Sequence, residues 1–276
     1  MSTVLHQFLS GDLMPATMNG SASLFYEDIG TGPAVLLSHS WQCDGRQWPQ
    51  VPALVEAGYR VLNLDNRGHG RSGPHRQRFT MWDMAEDLIA VLDDADVDDA
   101  VLVGLSVGGF AAIRAALVHQ PRVRALALAD TGAGPAAWRG RAKVAALGRL
   151  SVTPARNLTV GVVLKQLFGA TARRQQPELV AQWRRRFLDQ DPASMLVAIQ
   201  SIMARDDVTS RLGQVCVPTL VIVGEEDRDP GVMASVSLAA GIPGARFSVL
   251  PDTGHLAALE QPQAFESALL GFLADL

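Results

Sequence analysis

A doubly wound, mostly parallel α/β sheet with a helical block inserted between two core strands is the fold this sequence predicts. Three observations carry it. Short apolar runs without polar alternation, such as residues 34–38, 100–105 and 123–129, have the texture of strands buried on both faces, and helical patterns alternate with them. Between the second of these runs and a helix start stands Gly104-Leu-Ser-Val-Gly108, which reads as a sharp strand-to-helix turn with Ser106 at its tip. From Thr131 to Leu212, Ala-, Arg- and Leu-rich helical patterns replace strands, broken at Pro154, Pro177 and Pro192. The expected division is a core of residues 1–130 and 213–276 and a helical lid over 131–212. Such a lid would sit at the sheet's carboxyl edge, where folds of this class bind ligands.

Taken in order, residues 1–20 give no clear pattern, and residues 23–29 followed by Gly30-Thr-Gly-Pro33 read as a strand and turn. After the strand at 34–38 comes a polar loop, His39-Ser-Trp-Gln-Cys-Asp-Gly-Arg-Gln-Trp48, then a helix to Ala57 and a strand over 59–64. Asp65-Asn-Arg-Gly-His-Gly-Arg-Ser72 is a glycine-rich loop, and Thr80 is placed to cap a helix over 81–92. Residues 100–105 form the strand before Ser106, and good helix formers follow it. Strands resume at 218–223 and 245–250, and residues 263–276 form a terminal amphipathic helix.

Composition narrows the function. With 276 residues, 48% of them hydrophobic, the chain can bury one large core. Its 24 basic residues against 28 acidic ones give a net charge of −4, which argues against nucleic acid as a partner. Two cysteines far apart, Cys43 and Cys216, make no disulfide framework, so a reducing cytoplasm is the expected location. The start of the chain has neither a basic stretch nor a sustained apolar run, which argues against a secretory leader. No apolar run reaches membrane-span length. The expected partner is a small molecule, with the chain acting as a monomer or homodimer.

The glycines around Ser106 have a steric reason. A nucleophile lifted out at such a turn brings the flanking backbone together, leaving room for little more than hydrogen. Ser106 then stands at a helix N-terminus, which favours developing negative charge. A serine nucleophile needs a base, and the base a carboxylate to orient it. Of the six histidines, His255 follows the last strand, in Pro251-Asp-Thr-Gly-His-Leu256, where Gly254 would permit an unusual backbone angle. His39 reads as a structural or pocket residue, His69 as a brace for its own loop, His119 as a helix-end residue, and His6 and His75 as solvated. Two carboxylates compete to orient His255: Asp227, after the penultimate strand, is favoured, and Asp130, at the end of another core strand, is the alternative. Glu225, Glu226 and Asp229 read as solvated loop charges. The oxyanion donors expected are the backbone N–H groups of Val107 and Trp41.

These stretches, Gly-Leu-Ser-Val-Gly, Asp-Asn-Arg-Gly-His-Gly-Arg-Ser, Gly-Glu-Glu-Asp and Thr-Gly-His-Leu in that order, resemble the α/β-hydrolase superfamily from about residue 21 to the end. Within it, the chain is similar to the small enzymes around 3-oxoadipate enol-lactonases, carboxylesterases and non-haem perhydrolases. The resemblance implies no metal and no organic cofactor. It also implies hydrolysis of a small ester or lactone through an acyl-enzyme. Hydrolytic C–C cleavage of aromatic ring-cleavage products and perhydrolase activity are the alternatives. A cofactor-free ring-cleaving dioxygenase using His255 and Asp130 is a further one. One departure stands out: the superfamily has His-Gly where this chain has His39-Ser40, which is acceptable if the backbone there is ordinary. Ser40, His39 and Trp138 are candidate pocket residues. Leu164, Leu167, Phe168, Trp183, Phe187, Met195 and Met203 are expected mostly in a lid core. Arg139, Arg141, Arg173, Arg174, Arg184, Arg185 and Arg186 are expected on a solvated face.

Overall fold

The computed structural model describes residues 16–136, 148–150 and 152–276. Its centre is an eight-stranded sheet built from β1 (Ala16–Asn19), β2 (Ala22–Ile29), β3 (Ala34–Ser38), β4 (Arg60–Asp65), β5 (Ala100–Leu105), β6 (Val123–Ala129), β7 (Thr219–Gly224) and β8 (Arg246–Leu250). In space the order is β1-β2-β4-β3-β5-β6-β7-β8. The first two strands run antiparallel to their neighbours, and every later pairing is parallel. The chain moves outward from β3 to β4 and then returns to β5 on the other side of β3. The order therefore reverses at β3, whose carboxyl end opens the crevice where doubly wound sheets hold ligands.

The uninterrupted apolar runs have a simple cause. On β3, β5 and β7 every residue is buried, because helices cover both faces. Alternate residues serve opposite cores. Leu36, Leu62, Leu102 and Leu128 face the helices Met81–Asp94 and Val107–Val118, while Val35, Val61, Val103 and Ile222 pack with Phe265, Leu269 and Phe272 of the terminal helix. The strands lie within a residue of their expected bounds. The Thr80 helix runs two residues longer than expected, started by a reciprocal cap in which Thr80 and Asp83 satisfy each other's backbone amides. Residues 16–19 of the ambiguous N-terminal stretch form an edge strand.

Between β6 and β7 lie four described helices: Arg156–Leu167, Ala170–Gln175, Pro177–Asp189 and Pro192–Met203. Pro177 and Pro192 start helices, as their missing N–H and fixed φ favour. Leu164, Phe168, Trp183 and Phe187 join one core, and Ala198, Ile199 and Ile202 the other. The block thus straddles the sheet's edge. Among the described residues no helix is long and apolar enough to cross a membrane.

Candidate active site

Ser106 follows β5 directly and precedes the helix Val107–Val118 with φ 55° and ψ −111°, a conformation that costs an L-residue about 1–3 kcal/mol. Its neighbours hold it there. The Ser106 N–H donates to Ala129 O (2.9 Å), and Ser106 O accepts from Thr131 Oγ1 (2.8 Å). A Cβ on Gly104 would lie 2.5 Å from the Gly108 carbonyl group, and one on Gly108 2.1 Å from Ser38 O. Both glycines of the motif are therefore sterically required.

The loop after β3 approaches the same point. His39 is fully buried: its Nδ1 lies 2.7 Å from Ser40 O and its Nε2 accepts from Asn66 N (2.9 Å). These partners assign a neutral ring protonated at Nδ1, and burial holds its pKa down. His39 is a structural residue. Ser40 has no positive φ; the left-handed residue in this loop is Gln42, at φ 67°. Serine thus replaces glycine here at no backbone cost. The Ser40 N–H donates to Gln47 Oε1 (2.9 Å), which leaves the next amide, that of Trp41, as the loop's candidate donor.

His255 lies in the loop after β8, and its Nδ1 is 3.0 Å from Asp227 Oδ1, both side chains buried. Burial alone would lower the imidazole pKa, but the Asp227 charge and hydrogen bond outweigh it and carry it up to about 9. Burial likewise pushes Asp227 up. His255, with the amides of Asp229 (3.2 Å) and Gly231 (3.3 Å), more than reverses that and holds it below the usual carboxylate range. Asp130 ends elsewhere. At φ 46°, it accepts from Gly224 N (2.8 Å) through Oδ1, and its Oδ2 meets no partner among the described residues. Burial, then the Asp227 charge, raises its pKa well above the ordinary value.

Ser106 and His255 line one cavity of about 110 Å³, together with Ser40, Trp41 and residues of the helical block such as Met195 and Met203. The Trp41 indole ties the two walls by donating to Met195 O (3.2 Å). Leu167 also faces the cavity, whereas Leu164, Phe168, Trp183 and Phe187 are packing residues. Trp138, Arg139, Arg141 and His6 lie outside the described residues. Arg174, Arg184 and Arg185 are exposed as expected, while Arg186 lies over the Trp183 ring.

Several expectations change. His75 is buried and packs edge-on against Phe79. Glu226 is not a free loop charge: it accepts from the N–H (2.9 Å) and Oγ1 (2.7 Å) of Thr171. Asp229 lines the cavity and accepts from Gln166 Nε2 (2.9 Å). Gly254 has no positive φ; it is glycine because a Cβ would sit 2.1 Å from Gly169 N. His69 braces its loop through Arg67 O (3.0 Å), and His119 caps its helix and meets Glu86 (2.7 Å). The cavity also takes Arg156 and Arg205, which no motif marked. Among the described residues no cluster of His, Cys, Asp and Glu has the makings of a metal site.

The chain and its fold have counterparts among known proteins. A family model described as the alpha/beta hydrolase fold matches residues 33–262. A carbamate hydrolase by name from Azorhizobium caulinodans is 30% identical, over 95% of this chain and 99% of that protein. Among solved structures, a thermophilic esterase from Thermogutta terrifontis superposes with a TM-score of 0.88 at 29% identity, covering 95% of this chain and 97% of the other. The enol-lactonase from Burkholderia xenovorans LB400 gives 0.87 at 29% identity, covering 94% and 100%.

Proposed function

The chain belongs to the alpha/beta hydrolase family, and on that premise we propose that it is a serine hydrolase cleaving a small ester or lactone through an acyl-enzyme on Ser106. One observation carries the reading: a strained serine at a helix N-terminus and a histidine bonded to a buried carboxylate line the same small cavity.

In this mechanism Asp227 accepts the Nδ1–H of His255 and so leaves Nε2 as the base. Nε2 takes the Ser106 proton as Oγ attacks the substrate carbonyl. The tetrahedral oxyanion rests on the N–H groups of Val107 and Trp41, where losing one donor costs about 3 kcal/mol of barrier. Collapse breaks the acyl–oxygen bond, and His255 returns its proton to the leaving alkoxide. In a lactone that alcohol stays attached to the acyl group. Water, deprotonated by His255, then attacks the ester on Ser106 and frees the acid. Residues 131–212 act as the lid whose inner wall selects the substrate, and the cavity's size favours small acyl groups.

The test is a panel of p-nitrophenyl esters and small lactones with wild type and Ser106→Ala. Turnover of at least one substrate by wild type, lost in the variant, is expected; full turnover by the variant refutes the reading.

A further inference from the structure

Glu260 is a buried acid that the mechanism above does not use. It is 1% exposed and has no ion-pair partner among the described residues. It sits five residues after His255 in the helix Ala257–Glu260. Among the described residues its carboxylate accepts three hydrogen bonds, all from backbone N–H groups: Gly254 (2.9 Å) and Gly169 (3.0 Å) to Oε2, and Leu256 (3.2 Å) to Oε1. Two of these donors flank His255 on either side. The third belongs to Gly169, the N-cap of the helix Ala170–Gln175 of the insert.

The backbone around this carboxylate is closed tightly. The His255 N–H donates to Leu167 O (3.1 Å), so the base's own amide ends on the insert as well. Gly254 and Gly169 touch backbone to backbone, since a Cβ on Gly254 would lie 2.1 Å from Gly169 N and 2.6 Å from its Cα. Glu226 completes the junction from β7 by holding Thr171. Burying an acid costs several kcal/mol unless donors compensate, so a sequence keeps one where its acceptors have a task. Leucine or methionine would fill the same space more cheaply.

We infer that Glu260 is a positioning residue whose two oxygens clasp the amides on both sides of His255 and that of Gly169, the N-cap of the adjoining insert helix, fixing the base against the lid. This rests on the reading of His255 as the base. The main chain is gripped at residues 254 and 256, so the His255 Cα that carries the imidazole cannot shift without breaking bonds to a single carboxylate. Movement of the insert at Gly169 pulls on the same group. Small displacements at a reacting centre cost much more rate than binding, about 10²-fold per ångström.

Two variants separate this role from bulk stability. Glu260→Gln keeps the shape but sets an amide NH₂ against backbone N–H donors on one side. Gly169→Ala keeps the Glu260 carboxylate; φ there is −58°, which any residue adopts, but the new Cβ would lie 2.5 Å from Glu226 Oε2, 2.8 Å from Gly254 N and 3.0 Å from Glu260 Oε2. The readouts are kcat, KM, the acid limb of kcat/KM and the folded fraction by circular dichroism. The groups facing His255 are Asp227, Asp130 and Asp229, with Glu260 behind it and Glu226 across the Gly169 contact. Removing the Glu260 charge therefore moves the acid limb to lower pH, which loss of folded protein alone does not do.

Expected are a fall in kcat of about tenfold or more in both variants with KM changed less than about threefold, and a limb shift in Glu260→Gln only. Wild-type kcat in both variants overturns the inference, and so does a kcat loss matched by the loss of folded fraction with an unmoved limb. If Glu260→Gln does not fold, Gly169→Ala decides by the same kcat criterion. Ser106→Ala, assayed alongside, separates the two levels. Undiminished turnover there sinks the hydrolase reading itself, whereas a dead Ser106→Ala beside a wild-type Glu260→Gln and Gly169→Ala sinks only the role of Glu260.

Discussion

Asp130 and Asp227 are the same residue type, both buried, at the carboxyl ends of the neighbouring strands β6 and β7. Their surroundings differ in what they donate. The turn after β7 delivers two amides to Asp227, and the loop after β8 brings it the His255 imidazole. The turn after β6 leaves Asp130 one amide, Gly224 N, and an oxygen without a partner among the described residues. Burial penalises both charges, and only donors offset it. One acid is thereby held below the usual carboxylate range and the other pushed well above it, so position on the sheet edge does not by itself assign a role.

Substitutions can break that comparison. The largest effect belongs to Ser106→Ala, expected to lower kcat by about 10⁴–10⁶-fold on whichever ester or lactone wild type turns over. Asp227→Asn comes next, at about 10³–10⁴-fold, because the amide directs its NH₂ at Nδ1 and holds the wrong imidazole tautomer. Asp130→Asn is close to isosteric, keeps an oxygen for the Gly224 amide and is expected to change kcat less than about threefold. If Asp130→Asn proves the more damaging of the two, and oxygen is consumed during turnover, the dioxygenase alternative replaces the hydrolase.

Smaller effects lie in pH. His255 must be neutral to act as base, and its pKa is raised toward 9 by Asp227, so kcat/KM is expected to climb with pH through a limb above the ordinary histidine range. Asp227→Asn should move that limb down furthest and Asp130→Asn less, because the Asp227 charge and hydrogen bond are the larger causes of the raised imidazole. Stability gives the same contrast with opposite signs. A depressed folded pKa means that Asp227 stabilises above its unfolded value near 3.8, and that this contribution is lost as pH falls through the folded pKa. A raised folded pKa means that the unfolded state sheds the Asp130 proton first, so stability falls as pH rises above about 3.8. Urea denaturation at several pH values should therefore show a flatter decline in Asp130→Asn than in wild type. A steeper decline contradicts the upward shift of the Asp130 carboxyl.

Much of this was legible in residue types. Runs such as Val101-Leu-Val103 state their burial on both faces, and the Gly-x-Ser-x-Gly spacing states a contact between backbones that the Gly108–Ser38 approach bears out. What stayed illegible depends on which groups meet across long separations. Nothing local distinguishes Asp130 from Asp227, since both follow apolar strands and only the donors decide. Gly254 suggested a backbone angle, but its cause is Gly169, 85 residues earlier in the chain. His75 looked solvated in a polar stretch and is covered by Phe79 and by Ser194 of the insert. Arg156 carries no motif and Glu226 read as a loop charge, and their places follow from how the insert docks.

The most direct measurement is peptide mapping by mass spectrometry after treatment with a fluorophosphonate. The account expects one adduct, on Ser106, formed by wild type, lost in Ser106→Ala and strongly slowed in His255→Ala. An adduct on another residue, or labelling of Ser106 at full rate without the imidazole, contradicts it.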